Sequence, residues 1–267
     1  MANNKKYVIV SDLDGTFFAS NGEPTQNNLA AVERLKAKGH YFTIATGRFK
    51  NKWRECANAP CILANGTFML DVTNGEIISE RTFESKGAYE LLKEIRDVFG
   101  DIRVRYTDRN DVHYLFTSDE EDKFGDQWYK IVFESVRESE NDTPYMRADL
   151  LAISDYLRKN YPDRFRYNFS APFLFELLQH GASKGVCIGD LKDYFKARGE
   201  DVTVVAIGDY ENDMEMLEAA DIAACPSNAL PSVQRYVESR VQKGSGIIVS
   251  DNDSGAVSDL VDKLLNS

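Results

Sequence analysis

Two acidic groups stand out in this chain because each follows an apolar run that ends abruptly. The first is Val10-Ser11-Asp12-Leu13-Asp14-Gly15-Thr16. An extended segment presents Asp12 and Asp14 on alternate residues, and Gly15 then lets the backbone turn sharply. Two carboxylates so close repel each other unless a cation or a shared proton neutralises them. The second group is Ala206-Ile207-Gly208-Asp209-Tyr210-Glu211-Asn212-Asp213. Asp209 and Asp213 are four residues apart, so a helix beginning there turns both toward one mouth. An oxygen-rich group of this kind suits Mg²⁺, which takes carboxylates together with waters and phosphate oxygens. Helix capping, for which Asp and Asn are favoured, is the structural alternative for one of these residues.

Shorter signals supply the complementary chemistry. Thr46 ends an apolar segment and is followed by Gly47 and Arg48. Its hydroxyl and the nearby backbone N–H groups are the donors a phosphate needs. Lys184, in Ala182-Ser183-Lys184-Gly185, opens a helical pattern and brings positive charge to a site otherwise crowded with carboxylates. Either signal alone is weak; a lone lysine is ordinarily a solvated surface group.

The elements that must position these residues can be read from periodicity. Residues 5–12 form a short buried strand, and 25–38 a helix with Leu29, Val32 and Leu35 on one face, ending at Gly39. A strand at 41–45, a helix at 49–57 and a strand at 61–64 follow. The tail repeats the rhythm, with helices at 184–198, 211–219 and 255–265 and strands at 202–207, 221–224 and 246–249. Strand and helix alternating at this spacing imply parallel pairing through right-handed crossovers. The two ends therefore predict one doubly wound α/β sheet, a Rossmann-like core made of residues 1–83 and 180–267. Residues 84–179 read differently, with helices at 85–98 and 146–160 and strands at 102–107, 112–117, 130–136, 164–169 and 173–178. The strands at 102–107 and 112–117 flank a turn at Asp108-Arg109-Asn110. This pattern predicts an inserted α+β cap domain. Tyr114, Trp128 and Tyr167 within it are read as core aromatics.

Composition narrows the function classes. The chain has 267 residues, 43% hydrophobic and 28% charged, with a net charge of -11. That balance is ordinary for a globular protein. The acidity argues against nucleic acid, whose phosphates require clustered Lys and Arg. No stretch approaches the roughly 20 apolar residues of a membrane helix. The N-terminus has no signal-peptide pattern, so a cytoplasmic location is expected. Cys56, Cys61, Cys187 and Cys225 are scattered without a CxxC pair, which suggests buried thiols rather than zinc ligands or disulfides.

Taken in order, Asp-x-Asp-Gly-Thr, a strand-end Thr, a helix-start Lys and Gly-Asp-x-x-Asn-Asp resemble the haloacid dehalogenase superfamily over essentially the whole chain. Too little chain separates Asp14 from Thr46 for a sizeable cap, whereas Thr46 to Lys184 leaves ample room. That layout, and Asn65-Gly66 after the third strand, resemble the Cof-type, C2B-capped subgroup. The segment Ala224-Cys225-Pro226-Ser227-Asn228-Ala229 departs from the Met-Gly-Asn-Ala turn usual there: Asn228 is kept, but Pro226 changes the loop.

The resemblance implies a Mg²⁺-dependent phosphatase acting on a small phosphorylated metabolite such as a sugar phosphate, through a phospho-aspartyl intermediate. It implies Asp12 as nucleophile and Asp14 as general acid and base. Thr46, Gly47 and Lys184 would contact phosphate, Asn212 would contact phosphate or orient Lys184, and Arg48 would contact the substrate. Asp12, Asp14, Asp209 and Asp213 would form the metal site, Asp14 through its backbone carbonyl and Asp213 by supporting the shell. The insert would act as a lid. Alternatives are a phosphomutase with the same machinery, which the cap placement disfavours, and a non-catalytic phosphometabolite-binding module. A receiver domain is excluded by the position of its acceptor Asp and its lack of a large insert. A monomer or weak homo-oligomer is expected.

Overall fold

Lys6–Ser11 (β1) carries Val8, Ile9 and Val10 without any solvent exposure. A strand buried on both faces is what a central position in a parallel sheet demands. Each such side chain contributes on the order of 1.5–3 kcal/mol by leaving water. The computed structural model describes residues 6–100, 102–108, 113–116, 127–135, 146–171 and 173–266. The chain divides into two compact units, Met1–Glu80 with Ser183–Ser267, and Arg81–Ala182.

In the first unit β1 is followed by α1 (Gln26–Ala37) and β2 (Tyr41–Ile44). Thr25 caps α1 by accepting the Asn28 N–H at 3.1 Å. A hairpin system then follows, β3 (Cys61–Leu63), β4 (Phe68–Leu70) and β5 (Ile77–Glu80), all antiparallel. An isolated parallel bridge, Ala45 to Ile62, links it to the end of β2.

The second unit holds β6 (Phe83–Glu84), α2 (Ser85–Phe99), β7 (Arg103–Thr107), β8 (His113–Leu115), β9 (Gln127–Trp128), β10 (Lys130–Glu134), α3 (Met146–Asn160), β11 (Phe165–Ala171) and β12 (Leu174–Gln179). Its five-stranded sheet runs β11-β12-β10-β7-β8, antiparallel throughout. Leu92, Ile95, Ile153 and Leu157 from the helices join Tyr106, Phe133 and Phe175 from the strands in one core. Trp128 stacks on Tyr106 at 3.9 Å within it, a core aromatic as its sequence context predicts. Arg109, Asn110, Val136 and the Tyr114 side chain lie outside the described residues.

The chain returns to the first unit with α4 (Lys184–Ala197), β13 (Val202–Ile207), α5 (Met214–Ala219), β14 (Ile222–Pro226), α6 (Pro231–Val241), β15 (Gly246–Val249) and α7 (Ala256–Leu265). The main sheet is parallel in the order β15-β14-β13-β1-β2. Cys187, Ile188, Leu191 and Phe195 of α4 pack with Val8, Val10, Val204 and Ala206 of the sheet, joined by Met216, Val233 and Val237. Because β1 lies between β2 and β13, chain direction across the sheet reverses there. Ligands of open α/β sheets bind at the carboxyl ends beside such a reversal.

Three expectations need correction. The helix expected at 49–57 is a 3₁₀ turn, Lys52–Cys56, none of whose residues is buried; Asn51, extended, caps it by accepting the Trp53 N–H at 2.6 Å, so the turn starts only after Asn51. The helix expected at 211–219 divides into a 3₁₀ turn, Glu211–Asp213, and α5. The strand at 61–64 belongs chiefly to the antiparallel hairpins, and neither β4, β5 nor α6 was anticipated.

Candidate active site

β1 and β13 end side by side, with Ser11 in register with Ile207. The acidic residues that follow the two strands therefore emerge next to each other. After Asp12 the chain makes a tight loop in which the Phe17 N–H reaches the Asp12 carbonyl at 3.3 Å and the Phe18 N–H the Leu13 carbonyl at 2.7 Å. Gly15 turns this loop with φ +81°, and a Cβ there would lie 2.5 Å from Asp209 Oδ2. Both the left-handed backbone and the close approach require glycine.

Lys184, the first residue of α4, reaches the same carboxylates. Ser183 caps α4 by accepting the Val186 N–H at 3.0 Å, which fixes Lys184 in its first turn. The Lys184 side chain is fully buried, and Nζ donates to Asp12 Oδ1 and to Asp213 Oδ1, each at 2.6 Å. The other oxygen of Asp213 accepts the backbone N–H groups of Asp209 at 3.0 Å and Tyr210 at 3.1 Å. Asp213 is thus held at both oxygens. Gly208 admits it, since a Cβ at 208 would lie 2.5 Å from the Asp213 side chain. Asp209 Oδ1 accepts the Thr16 hydroxyl at 2.6 Å.

Burial and charge act against each other here. Burial lifts the Asp12 carboxyl well above the usual aspartate range, Lys184 pulls it back, and the charges of Asp213 and Asp209 lift it again. Burial, followed by the charge of Asp213, pushes Asp209 up to about 7. Burial alone would lower the Lys184 ammonium, but Asp12 and Asp213 outweigh it and hold the lysine above its ordinary range. Lys184 is therefore a fixed positive charge.

One oxygen from each of Asp12, Asp209 and Asp213 lies within 4.8 Å of the others. Three carboxylates face one ammonium, so the cluster carries surplus negative charge away from bulk water. A hard divalent cation with oxygen ligands fits this donor set, and Mg²⁺ is such a cation.

The remaining predicted residues are placed as follows. Thr46 is buried, and its Oγ1 accepts the Arg48 N–H at 3.1 Å, which leaves the hydroxyl proton to be donated elsewhere. Gly47 follows it, with the Asn65 carboxamide against its backbone. Asn212 Nδ2 donates to Asn65 Oδ1 at 3.3 Å. Arg48 and Asp14 form a two-point ion pair, both more than half exposed, so the Asp14 carboxylate lies with Arg48 rather than with the three clustered carboxylates. Asp12, Lys184, Asp209 and Asp213 are brought together directly.

Sequence reasoning did not nominate Thr16, although it lies within the first motif. Nor did it nominate Asn28 and Asn252, which with Asn228 hold the loop after Asp12. Asn228 Nδ2 donates to the Gly15 carbonyl at 2.9 Å, Asn28 Nδ2 to that of Phe17 at 2.9 Å, and Asn252 Nδ2 to that of Phe18 at 3.0 Å. Asn228 also accepts the Asn252 N–H at 2.9 Å. The loop bearing Pro226 therefore still delivers Asn228 to the turn at Gly15. Side-chain amides tied to carbonyls from distant segments leave no local pattern in a sequence.

Comparison with known proteins places this geometry. The chain is 26% identical to the 5-amino-6-(5-phospho-D-ribitylamino)uracil phosphatase YitU of Bacillus subtilis, covering 86% of this chain and 90% of that protein. It is 25% identical to the HMP-PP phosphatase of Citrobacter koseri, covering 83% and 84%. Among solved structures, a haloacid dehalogenase-like hydrolase from Bacteroides thetaiotaomicron shares the fold with a TM-score of 0.75 at 19% identity, over 97% of this chain and 100% of that one. A haloacid dehalogenase-like hydrolase from B. subtilis gives 0.72 at 19% identity, over 96% and 99%. The family model of the haloacid dehalogenase-like hydrolases matches residues 9–259, and with that span covered the chain belongs to this family.

Proposed function

We propose that this phosphatase hydrolyses a small phosphate monoester with Asp12 as nucleophile, with Mg²⁺ as its cofactor. The observation that carries the reading is the double contact of Lys184 Nζ with Asp12 Oδ1 and Asp213 Oδ1 at 2.6 Å, beside Asp209. Lys184 works against the lift of burial on Asp12 and, by holding its Oδ1, leaves Oδ2 for the phosphorus. Asp12 and Asp209 hold the cation, and Asp213 orients Lys184 and the 209–210 backbone. Bound there, Mg²⁺ supplies the positive charge that lets an anionic carboxylate approach an anionic phosphoryl group.

The chemistry then divides into two displacements. Asp12 Oδ2 forms a bond to phosphorus, the ester oxygen leaves, and Asp14 gives that oxygen its proton. Water next transfers a proton to Asp14 and attacks the same phosphorus, breaking the acyl phosphate and restoring the Asp12 carboxylate. The Thr46 hydroxyl, the Gly47 N–H and Lys184 bind the non-reacting oxygens. Asn212 contributes to the same cradle, and Arg48 reaches the leaving group when Asp14 turns inward.

Residues Arg81–Ala182 serve as the lid that excludes water and selects the leaving group. One relative is named for a substrate that bears its phosphate on a ribityl group, 5-amino-6-(5-phospho-D-ribitylamino)uracil. A sugar or sugar-alcohol phosphate is accordingly the substrate class. Hydrolysis of p-nitrophenyl phosphate that requires Mg²⁺ and stops in EDTA tests the reading, followed by kcat/KM over a panel of sugar phosphates. Equal turnover in EDTA contradicts the metal assignment.

A further inference from the structure

The turn after β3 contains Ala64 at φ +48° and Asn65 at φ +55°, the two non-glycine residues with left-handed backbone among those described. Gly66 follows at φ +90°. Asparagine tolerates this region and alanine resists it, so such a run persists where its surroundings over-determine it. Here they do so from three sides. The Asn65 N–H donates to the Thr46 carbonyl at 2.9 Å and the Ala64 N–H to the Arg48 carbonyl at 3.1 Å, pinning the loop on both sides of Gly47. The Asn65 carboxamide lies where a Gly47 side chain would be, its Nδ2 3.1 Å from that position, and its Oδ1 accepts Asn212 Nδ2. Gly66 packs so tightly on the start of α4 that a Cβ would meet the Ser183 carbonyl at 2.2 Å and the Lys184 nitrogen at 2.9 Å.

We propose that Asn65 is a positioning residue of the phosphate site, setting Gly47 and Asn212 relative to one another so that both address the same anion. The claim deepens the phosphatase reading and rests on it. Asn65 is 2% exposed and joins groups far apart in sequence, at 47 and 212. A residue that only shaped the turn would need its backbone conformation and nothing more. Glycine adopts that conformation freely and lacks the carboxamide.

Asn65→Gly therefore separates the two roles, and Asn65→Asp, which keeps the acceptor but adds charge, is its companion. Both are compared with wild type by thermal melting, by KM and kcat for p-nitrophenyl phosphate with Mg²⁺, and by the inhibition constant of inorganic phosphate. The expected result is a melting temperature close to wild type for Asn65→Gly, with KM and the phosphate inhibition constant raised roughly tenfold. Asn65→Asp should weaken phosphate further, because its carboxylate repels the anion. Unchanged phosphate inhibition in both variants, with an active wild type, overturns the role of Asn65 and leaves the phosphatase reading standing. A wild-type protein that neither hydrolyses the ester nor is bound by phosphate overturns both.

Discussion

Arg48 grips Asp14 at two points, Nε to Oδ2 at 3.0 Å and Nη2 to Oδ1 at 2.7 Å. Asp14 is two residues from the proposed nucleophile, yet its carboxylate is held by a guanidinium and stands outside the cluster of Asp12, Asp209 and Asp213. An exposed pair of this kind stabilises a fold by less than about 1 kcal/mol. Its consequence is positional: if Asp14 is the proton carrier proposed above, it must leave Arg48 to reach the ester oxygen.

Asp14→Asn should separate the two displacements. Alkyl phosphates, whose leaving group needs a proton, should slow on the order of 10²–10⁴-fold. p-Nitrophenyl phosphate, whose leaving group needs little help, should give a burst of one equivalent and then stall. Rapid-mixing kinetics read both, and steady hydrolysis of alkyl esters at the wild-type rate would remove Asp14 from the mechanism.

Arg48→Lys keeps the charge but loses the two-point fork. Stability should change little, since the pair is exposed, while kcat on alkyl phosphates should fall several-fold more than kcat on aryl phosphates. Equal effects on both leaving groups would indicate that Arg48 binds substrate without orienting Asp14.

Metal affinity should depend on pH with a definite sign. In the metal-free chain Asp209 titrates near 7, well above an unfolded aspartate near 3.9. Between those values the native state binds the extra proton, so metal-free stability should fall as pH rises toward 7. Mg²⁺ must displace that proton, so its affinity should weaken as pH drops below about 7. Calorimetric titration with Mg²⁺ from pH 5.5 to 8, approximate limits chosen around that value, checks it; a flat profile would contradict the shift.

Lys184→Met should leave Asp12 and Asp213 buried without their common partner. Breaking a buried pair in this way costs about 3–5 kcal/mol, which chemical denaturation would detect. Added Mg²⁺ should recover part of the loss by replacing the missing charge. Full stability in the variant would show that the cluster tolerates its negative charge by other means.

The motifs at 10–16 and 206–213 were legible because strand-end chemistry is written in consecutive residues. β13 at Val202–Ile207 and β15 at Gly246–Val249 fell on their expected bounds for the same reason, being short apolar runs between polar breaks. α6 was readable in retrospect: Pro231 starts it and Val233 and Val237 share its buried face. The 49–57 segment misled because its buried residues, Phe49 and Ala57, stand outside the short turn, and Asn51 interrupts the helix between them. Nothing in the sequence could reveal that Gly66 presses on Ser183, or that Asn28, Asn228 and Asn252 converge on one loop. Those contacts exist only once the sheet order brings distant segments together.

The central claim is that Asp12 itself carries the phosphoryl group. Acid-quenched Asp14→Asn protein, mixed with Mg²⁺ and p-nitrophenyl phosphate, should yield one phosphorylated peptide by mass mapping, modified at Asp12. The same treatment of Asp12→Asn should yield none, with turnover lost and folding retained. Substantial turnover in Asp12→Asn, or a phosphoryl group mapped to another residue, would contradict the account.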